Sequence, residues 1–248
     1  MPTSIFLKKM QLHYNTLTLQ EATAIQAEMK AKLNLAPLDR PIATIAGADI
    51  SFNKYATTVY AGIVLLSFPD LLPLSVSLVQ AEVTFPYVPG YLAFREVPAL
   101  LKAWEALPQK PDVLVVDGHG IAHPRRTGIA THFGILTGQA SLGCAKNILC
   151  GKYDLPQEQK GSSTPIRDKG EQIGWAFRSK DKVQPVFISP GHHISMEQSL
   201  HIIQQCTGKY RLPEPTRWAH HFVNEFRVGN RNVGYHLLTR DRNLTLFS

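Results

Sequence analysis

Cysteine is scarce in this chain: three in 248 residues, at 144, 150 and 206, with no CxxC pair. An odd, scattered set builds no disulfide framework and no zinc site, so a reducing compartment is expected and the cysteines read as core filler. No stretch reaches the roughly 18 apolar residues that a membrane span needs. The opening MPTSIFLKKMQLHYN lacks a long apolar core before a small-residue cleavage site, so no signal peptide is expected. These absences predict a soluble, cytoplasmic protein without a membrane partner. GxGxxG, the Walker loop, HExxH and the GxSxG elbow are all missing, which removes the motif support for dinucleotide, P-loop, zinc-peptidase and serine-hydrolase chemistry.

Acid is the minority charge. Nineteen Asp+Glu face 26 Lys+Arg, for a formal net charge of +7 and a pI near 9.3. That balance favours a polyanionic partner, because each neutralised phosphate releases counterions. With 44% hydrophobic residues the chain can bury a full core as one large domain. Thr18 and Glu21 form a capping box ahead of Ala22, Ile25, Met29 and Leu33 at helical spacing. Three β-rich segments follow at 42–52, 57–68 and 74–83, separated by short breaks, and read as an antiparallel meander. Residues 92–107 read as a helix, with Pro98 placed in a first turn or at a kink. VLVV (113–116) is an apolar run of the kind buried on both faces of a sheet. A helix over 127–142, strands in CAKNILC, EQIGWAFRS and VQPVFIS, and helices in MEQSLHIIQQC and PEPTRWAHHFVNEFR complete the pattern. The expectation is an α/β three-layer fold with a central mixed β-sheet flanked by helices. One domain is expected over 1–227, followed by a loosely held tail at 228–248.

Several residues stand out against this frame. Asp49 lies inside an otherwise apolar and small-residue strand, where a carboxylate is costly unless paired or metal-bound. Asp117 ends VLVV at the carboxyl edge of a buried strand, the usual ligand position in α/β sheets. Placed side by side, the two repel unless a divalent cation lies between them, and oxygen ligands suit Mg²⁺ or Mn²⁺. Glu96 adds a third carboxylate; structural roles, a turn cap for Asp49 and a DG turn for Asp117, stay open here. In DGHGIAHPRRTG, Gly118 and Gly120 let backbone approach a flat ligand, and Arg125 and Arg126 suit phosphate. Lys146 is expected at a strand edge or paired with an anion. The prolines of Pro86-Tyr87-Val88-Pro89 exclude helix interior and central strand, predicting a stiff spur that holds an aromatic ring.

GADISF, FPYVPGYLAFRE, VLVVDGHGIAHPRRTGIATHFG, CAKNILCG, SPGHHIS and RLPEPTRWAHH, in this order, resemble the endonuclease V family from about Thr18 to Arg227. The resemblance implies an RNase H-like fold and a Mg²⁺-dependent deoxyinosine 3′-endonuclease of DNA repair, with Mn²⁺ as a substitute ion. It implies that Asp49 and Asp117 bind metal, with Glu96 and His220 beside them, and that Lys146 lies near the scissile phosphate. It makes Tyr87 the wedge of the Pro86–Pro89 spur. Gly90, Leu92, Gly118, His123, Gly128, Ile129 and Gly143 match positions lining the pocket for an everted hypoxanthine. His119 stands where many relatives have Gln. The implied partner is DNA containing deoxyinosine, inosine-containing RNA is left open as a second substrate, and a monomer is implied. Two other readings stay open: a different RNase H-like nuclease, and a non-catalytic inosine- or RNA-binding module.

Overall fold

The computed structural model describes residues 14–53 and 56–238. The first thirteen residues and the last ten of the expected tail lie outside these. Helix α1 (Leu19–Ala31) starts at the capping box read from the sequence: the Thr18 hydroxyl accepts from Glu21 N–H, and the Glu21 carboxylate accepts from Thr18 N–H at 2.8 Å. Strands β1 (Thr44–Phe52), β2 (Thr58–Ser67) and β3 (Pro73–Glu82) form the expected antiparallel meander. Then come α2 (Leu92–Glu105), β4 (Val113–Val116), α3 (Ile129–Thr137) and β5 (Ser141–Ala145). Strands β6 (Ser163–Asp168), β7 (Glu171–Phe177) and β8 (Val186–His192) precede α4 (Met196–Gln205), α5 (Glu214–Arg227) and β9 (Gly234–Leu237).

Among the described residues nine strands join one sheet in the order β6-β7-β8-β5-β4-β1-β2-β3-β9. The central β1–β4 and β4–β5 pairs are parallel; the outer pairs are antiparallel. Alternation divides the core. Ala46, Ala48, Leu114 and Val116 face α2 and α3, while Ile45, Val113 and Val115 face α4 and α5. Both faces of β4 are therefore dry, as its unbroken apolar run requires.

Four expectations change. Gly138 sits at φ 70° and ends α3, so residues 141 and 142 belong to β5 rather than to the helix; a left-handed glycine is a common helix stop. The expected CAKNILC strand stops at Ala145, so Cys150 lies in a loop, half-buried, while Cys144 is buried in β5. Of the two places expected for Pro98, a first turn or a kink, the first is excluded, because Pro98 falls in the interior of α2. Strand β6 had no sequence reading: Pro165 hides it, and proline is tolerated because β6 is an edge strand. In the expected loose tail, residues 234–237 pair with β3 and extend the sheet. No helix among the described residues is long and apolar enough to cross a membrane.

Candidate active site

The parallel pairing of β1 with β4 sets the site. Ala48 is in register with Val116, and Asp117 N–H donates to the Ala48 carbonyl at 3.0 Å. The next residue on each strand is an aspartate, so Asp49 and Asp117 emerge together at one sheet edge. Helix α5 comes close because Gly47 has no side chain: a Cβ there would lie 1.8 Å from the Pro215 carbonyl oxygen. That approach brings His220 over Asp49, with Nδ1 to Oδ2 at 2.8 Å. Asn224 donates from Nδ2 to His220 Nε2 at 3.1 Å, which leaves the imidazole proton on Nδ1, pointing at Asp49. The other Asp49 oxygen accepts from Ile50 N–H at 2.8 Å. Lys146 follows the last residue of β5 and reaches Asp117 Oδ2 at 2.7 Å. Asn224 was not singled out from the sequence; its place one helical turn after His220 was the available signal.

Ligand atoms of Asp49, Asp117 and His220 lie within 4.8 Å of one another. Glu96 projects into the same hollow, of about 200 Å³, from α2. Burial, then the charges of Asp49 and Asp117, push Glu96 up to about 8. Burial and Asp49 raise Asp117 as well, against the pull of Lys146. Three carboxyl groups thus crowd a small space and repel one another when ionised. Carboxyl oxygens held this close fit a divalent cation of the Mg²⁺ or Mn²⁺ type.

Against the acids lies a cavity of about 360 Å³. Gly90, Leu92, Gly118, His123, Gly128 and Ile129 line it, and Glu96 and Asp117 belong to its wall. Tyr87 stands at its border, 61% exposed on the proline spur. The spur ends in Gly90 at φ 82°, a conformation that favours glycine. Gly90 carbonyl accepts from Gln26 Nε2, His123 Nε2 and Arg125 Nη2, at 3.0, 3.0 and 2.6 Å. His123 therefore ties the spur to the DGHG loop, and burial lowers its pKa to about 4, keeping the ring neutral. His119 also borders the cavity and is likewise lowered to about 4 by burial. Thr127 and Asn147–Leu149 line it too and were not singled out; the last three follow β5 in a loop that the sequence presents as strand.

Some expected residues lie elsewhere. Gly143 sits beneath the cavity, under the 118–120 backbone: a Cβ there would lie 2.4 Å from Gly118 carbonyl oxygen. Arg126 is buried, its guanidinium held by Asp168 and Glu171 at 2.9 Å each and by the His123 carbonyl. Arg125 bonds Gln26 and Gly90 and stacks 4.1 Å over Tyr91. Both guanidiniums are thus occupied by protein acceptors rather than directed at phosphate. The polar Ser189–His192 stretch after an apolar run is expected to cluster at the Asp117 edge, but it belongs to β8, which runs antiparallel to β5, so it leads away from that edge. Two of its residues support the loop: Ser189 Oγ accepts from Gly120 N–H and the Pro190 carbonyl from Ile121 N–H, at 2.8 Å each.

The endonuclease V family model matches residues 27–221. The chain belongs to the endonuclease V family. It is similar to the crystal structure of endonuclease V from Streptomyces avermitilis, at 36% identity over 87% of this chain and 96% of that one, with TM-score 0.82. The catalytic domain of human endonuclease V matches at 32% identity over 86% and 96%, TM-score 0.79. Endonuclease V of Ciona intestinalis, 26% identical over 86% and 98% with TM-score 0.76, was crystallised with a 24mer DNA containing an inosine followed by a ribo-adenosine. Membership of endonuclease V makes this chain a nuclease with the RNase H-like fold, and the acidic cluster is consistent with the family's metal dependence.

Proposed function

We propose that this nuclease binds a deoxyinosine turned out of its strand and hydrolyses the second phosphodiester bond on its 3′ side. Water adds to phosphorus and the 3′ oxygen leaves, giving a 3′ hydroxyl and a 5′ phosphate. One observation carries the reading: Glu96 and Asp117 line the cavity bordered by Tyr87, Gly90 and Gly118. A base seated in that cavity brings the phosphates 3′ to it towards the acids. The DNA complex of the Ciona relative supports inosine as the base.

A base stacked in a duplex cannot enter a pocket, so it must be extracted. Tyr87, held out on prolines, fills the vacated space, and an aromatic ring stacked there offsets about 1–3 kcal/mol of the unstacking cost. Backbone at Gly90 and Gly118, with the neutral His119 and His123, forms the wall against which the base edge is read. Asp49 and Asp117 would hold a Mg²⁺ ion, or Mn²⁺ in its place, with Glu96 and His220 beside it; when bound the ion supplies Lewis acidity at the phosphodiester and offsets charge on the leaving oxygen. His220 orients Asp49 through its Nδ1–H. Lys146 orients Asp117 and adds a cation beside the phosphate.

The test is a nicking assay on inosine and adenine duplexes and on inosine RNA, with Mg²⁺ and with a chelator. Inosine strands should be nicked one nucleotide beyond the lesion in Mg²⁺ alone, and Asp117→Ala should abolish nicking while binding survives. Tyr87→Ala should weaken inosine binding more than undamaged duplex binding. Equal nicking of adenine duplexes, or full activity in chelator, would refute the reading.

A further inference from the structure

Tyr87 borders two hollows. Besides the cavity beside the acids it lines a second one, of about 480 Å³ against about 360 Å³ for the first. Phe52, Ala56, Thr57, Val83, Thr84 and Arg95 form the rest of its wall. The Phe52 ring lies 6.3 Å from the Tyr87 ring, and the Arg95 guanidinium 5.3 Å from the Phe52 centroid. Arg95 is fixed there: only 8% exposed, it donates to the Phe85 and Ala56 carbonyls at 2.8 Å each. A fixed guanidinium and two aromatic rings are the flat faces on which unpaired bases stack. Nothing in the cleavage chemistry described above uses this hollow.

Its position along the strand selects the occupant. The acids line their own hollow, and Phe52 follows Asp49 by three residues along β1. With the lesion base in the first cavity and the cut one nucleotide further on, a single nucleoside spans the interval. Its base has lost the lesion as a stacking neighbour, and Tyr87 stands in that place. The geometry points to the second hollow as the seat of this base: the nucleobase immediately 3′ to the lesion, separated from its complement and stacked against Tyr87 and Phe52 beside Arg95. The inference rests on the cut position proposed above. It requires no base identity at that position, since every base has a π-face.

The test measures kcat/KM for wild type, Ala56→Trp and Phe52→Ala on inosine strands in which the next 3′ nucleotide is either an adenine nucleotide or abasic. Wild type should lose about tenfold when that base is absent, the size of one stacking contact. Ala56→Trp, which fills the hollow, and Phe52→Ala, which removes a stacking face, should each be about tenfold slower on the intact strand and lose little more on the abasic one. The inference is overturned if both variants keep the wild-type ratio between the two strands. It is equally overturned if the variant-dependent loss appears only on removing the base opposite the lesion. Failure of the underlying reading looks different: wild type then nicks inosine and adenine duplexes equally, and this inference falls with it.

Discussion

An alanine at position 143 probes the support beneath the site. Its Cβ would lie 2.4 Å from Gly118 carbonyl oxygen, 2.6 Å from Gly120 N and 2.7 Å from His119 carbonyl carbon, where ordinary contact begins at 3.4 Å. The 117–120 backbone would have to withdraw by about 1 Å, and it is not free to do so. Gly120 N–H is bonded to Ser189 Oγ, Ile121 N–H to Pro190 carbonyl, and Gly128 N–H to Gly120 carbonyl, at 2.8, 2.8 and 3.0 Å. Overpacking of this kind costs about 1–3 kcal/mol. In a domain of this size that lowers Tm by about 2–4 °C per kcal/mol. The same loop carries Asp117, and displacing a catalytic group by about 1 Å costs on the order of 100-fold in rate. Gly143→Ala should therefore lower kcat for inosine nicking and Tm together, read by single-turnover kinetics and thermal unfolding. A residue that merely lined the base cavity would raise KM and leave kcat and Tm in place. That second pattern would refute the argument.

Lys146→Met should slow nicking on the order of 100-fold by removing a cation aimed at the reacting charge, while the half-exposed pair with Asp117 limits the stability loss to about 1 kcal/mol; a large Tm drop would make Lys146 a structural residue. Arg126→Ala should lower stability by about 2 kcal/mol through the lost bonds to Asp168 and Glu171, without changing the salt slope of DNA binding, whereas a lost phosphate contact would reduce that slope by about one. His132 is buried against Tyr14, its Nε2 2.8 Å from the phenol oxygen, and burial lowers its pKa to about 3. The folded protein keeps this ring neutral while the unfolded chain protonates near pH 6.5, so stability is full above that pH and is lost as pH falls towards 3. The loss is about 1.4 kcal/mol per pH unit. Denaturant titrations at pH 5 and 6 should show His132→Leu with a shallower pH slope by one proton; an unchanged slope would mean that the ring is charged in the fold.

Local patterns were legible because they depend on neighbouring residues. The Thr18 capping box, the meander strands, the apolar run of β4 and the proline spur carrying Tyr87 follow from propensity, periodicity and fixed φ. Where a signal was weak locally, the reading slipped: Gly138 ended α3 early, and Pro165 concealed β6. Asp168, at the end of that concealed strand, and Glu171, at the start of β7, hold Arg126, so a guanidinium that looked free for phosphate is buried. Charge is visible in a sequence, but its partner is not.

The sequence by itself determined which chemistry was present: the carboxylates, the lysine, the glycines that admit close backbone approach, and the ring on its stiff support. The tertiary structure decided which of these meet. Asp49 and Asp117 are neighbours only because β1 and β4 pair with Ala48 opposite Val116, and His220 joins them only because Gly47 lets α5 lie against the sheet. Strand register and helix approach are set by packing between segments distant in the chain, and a one-residue slip of either strand would turn its aspartate to the opposite face.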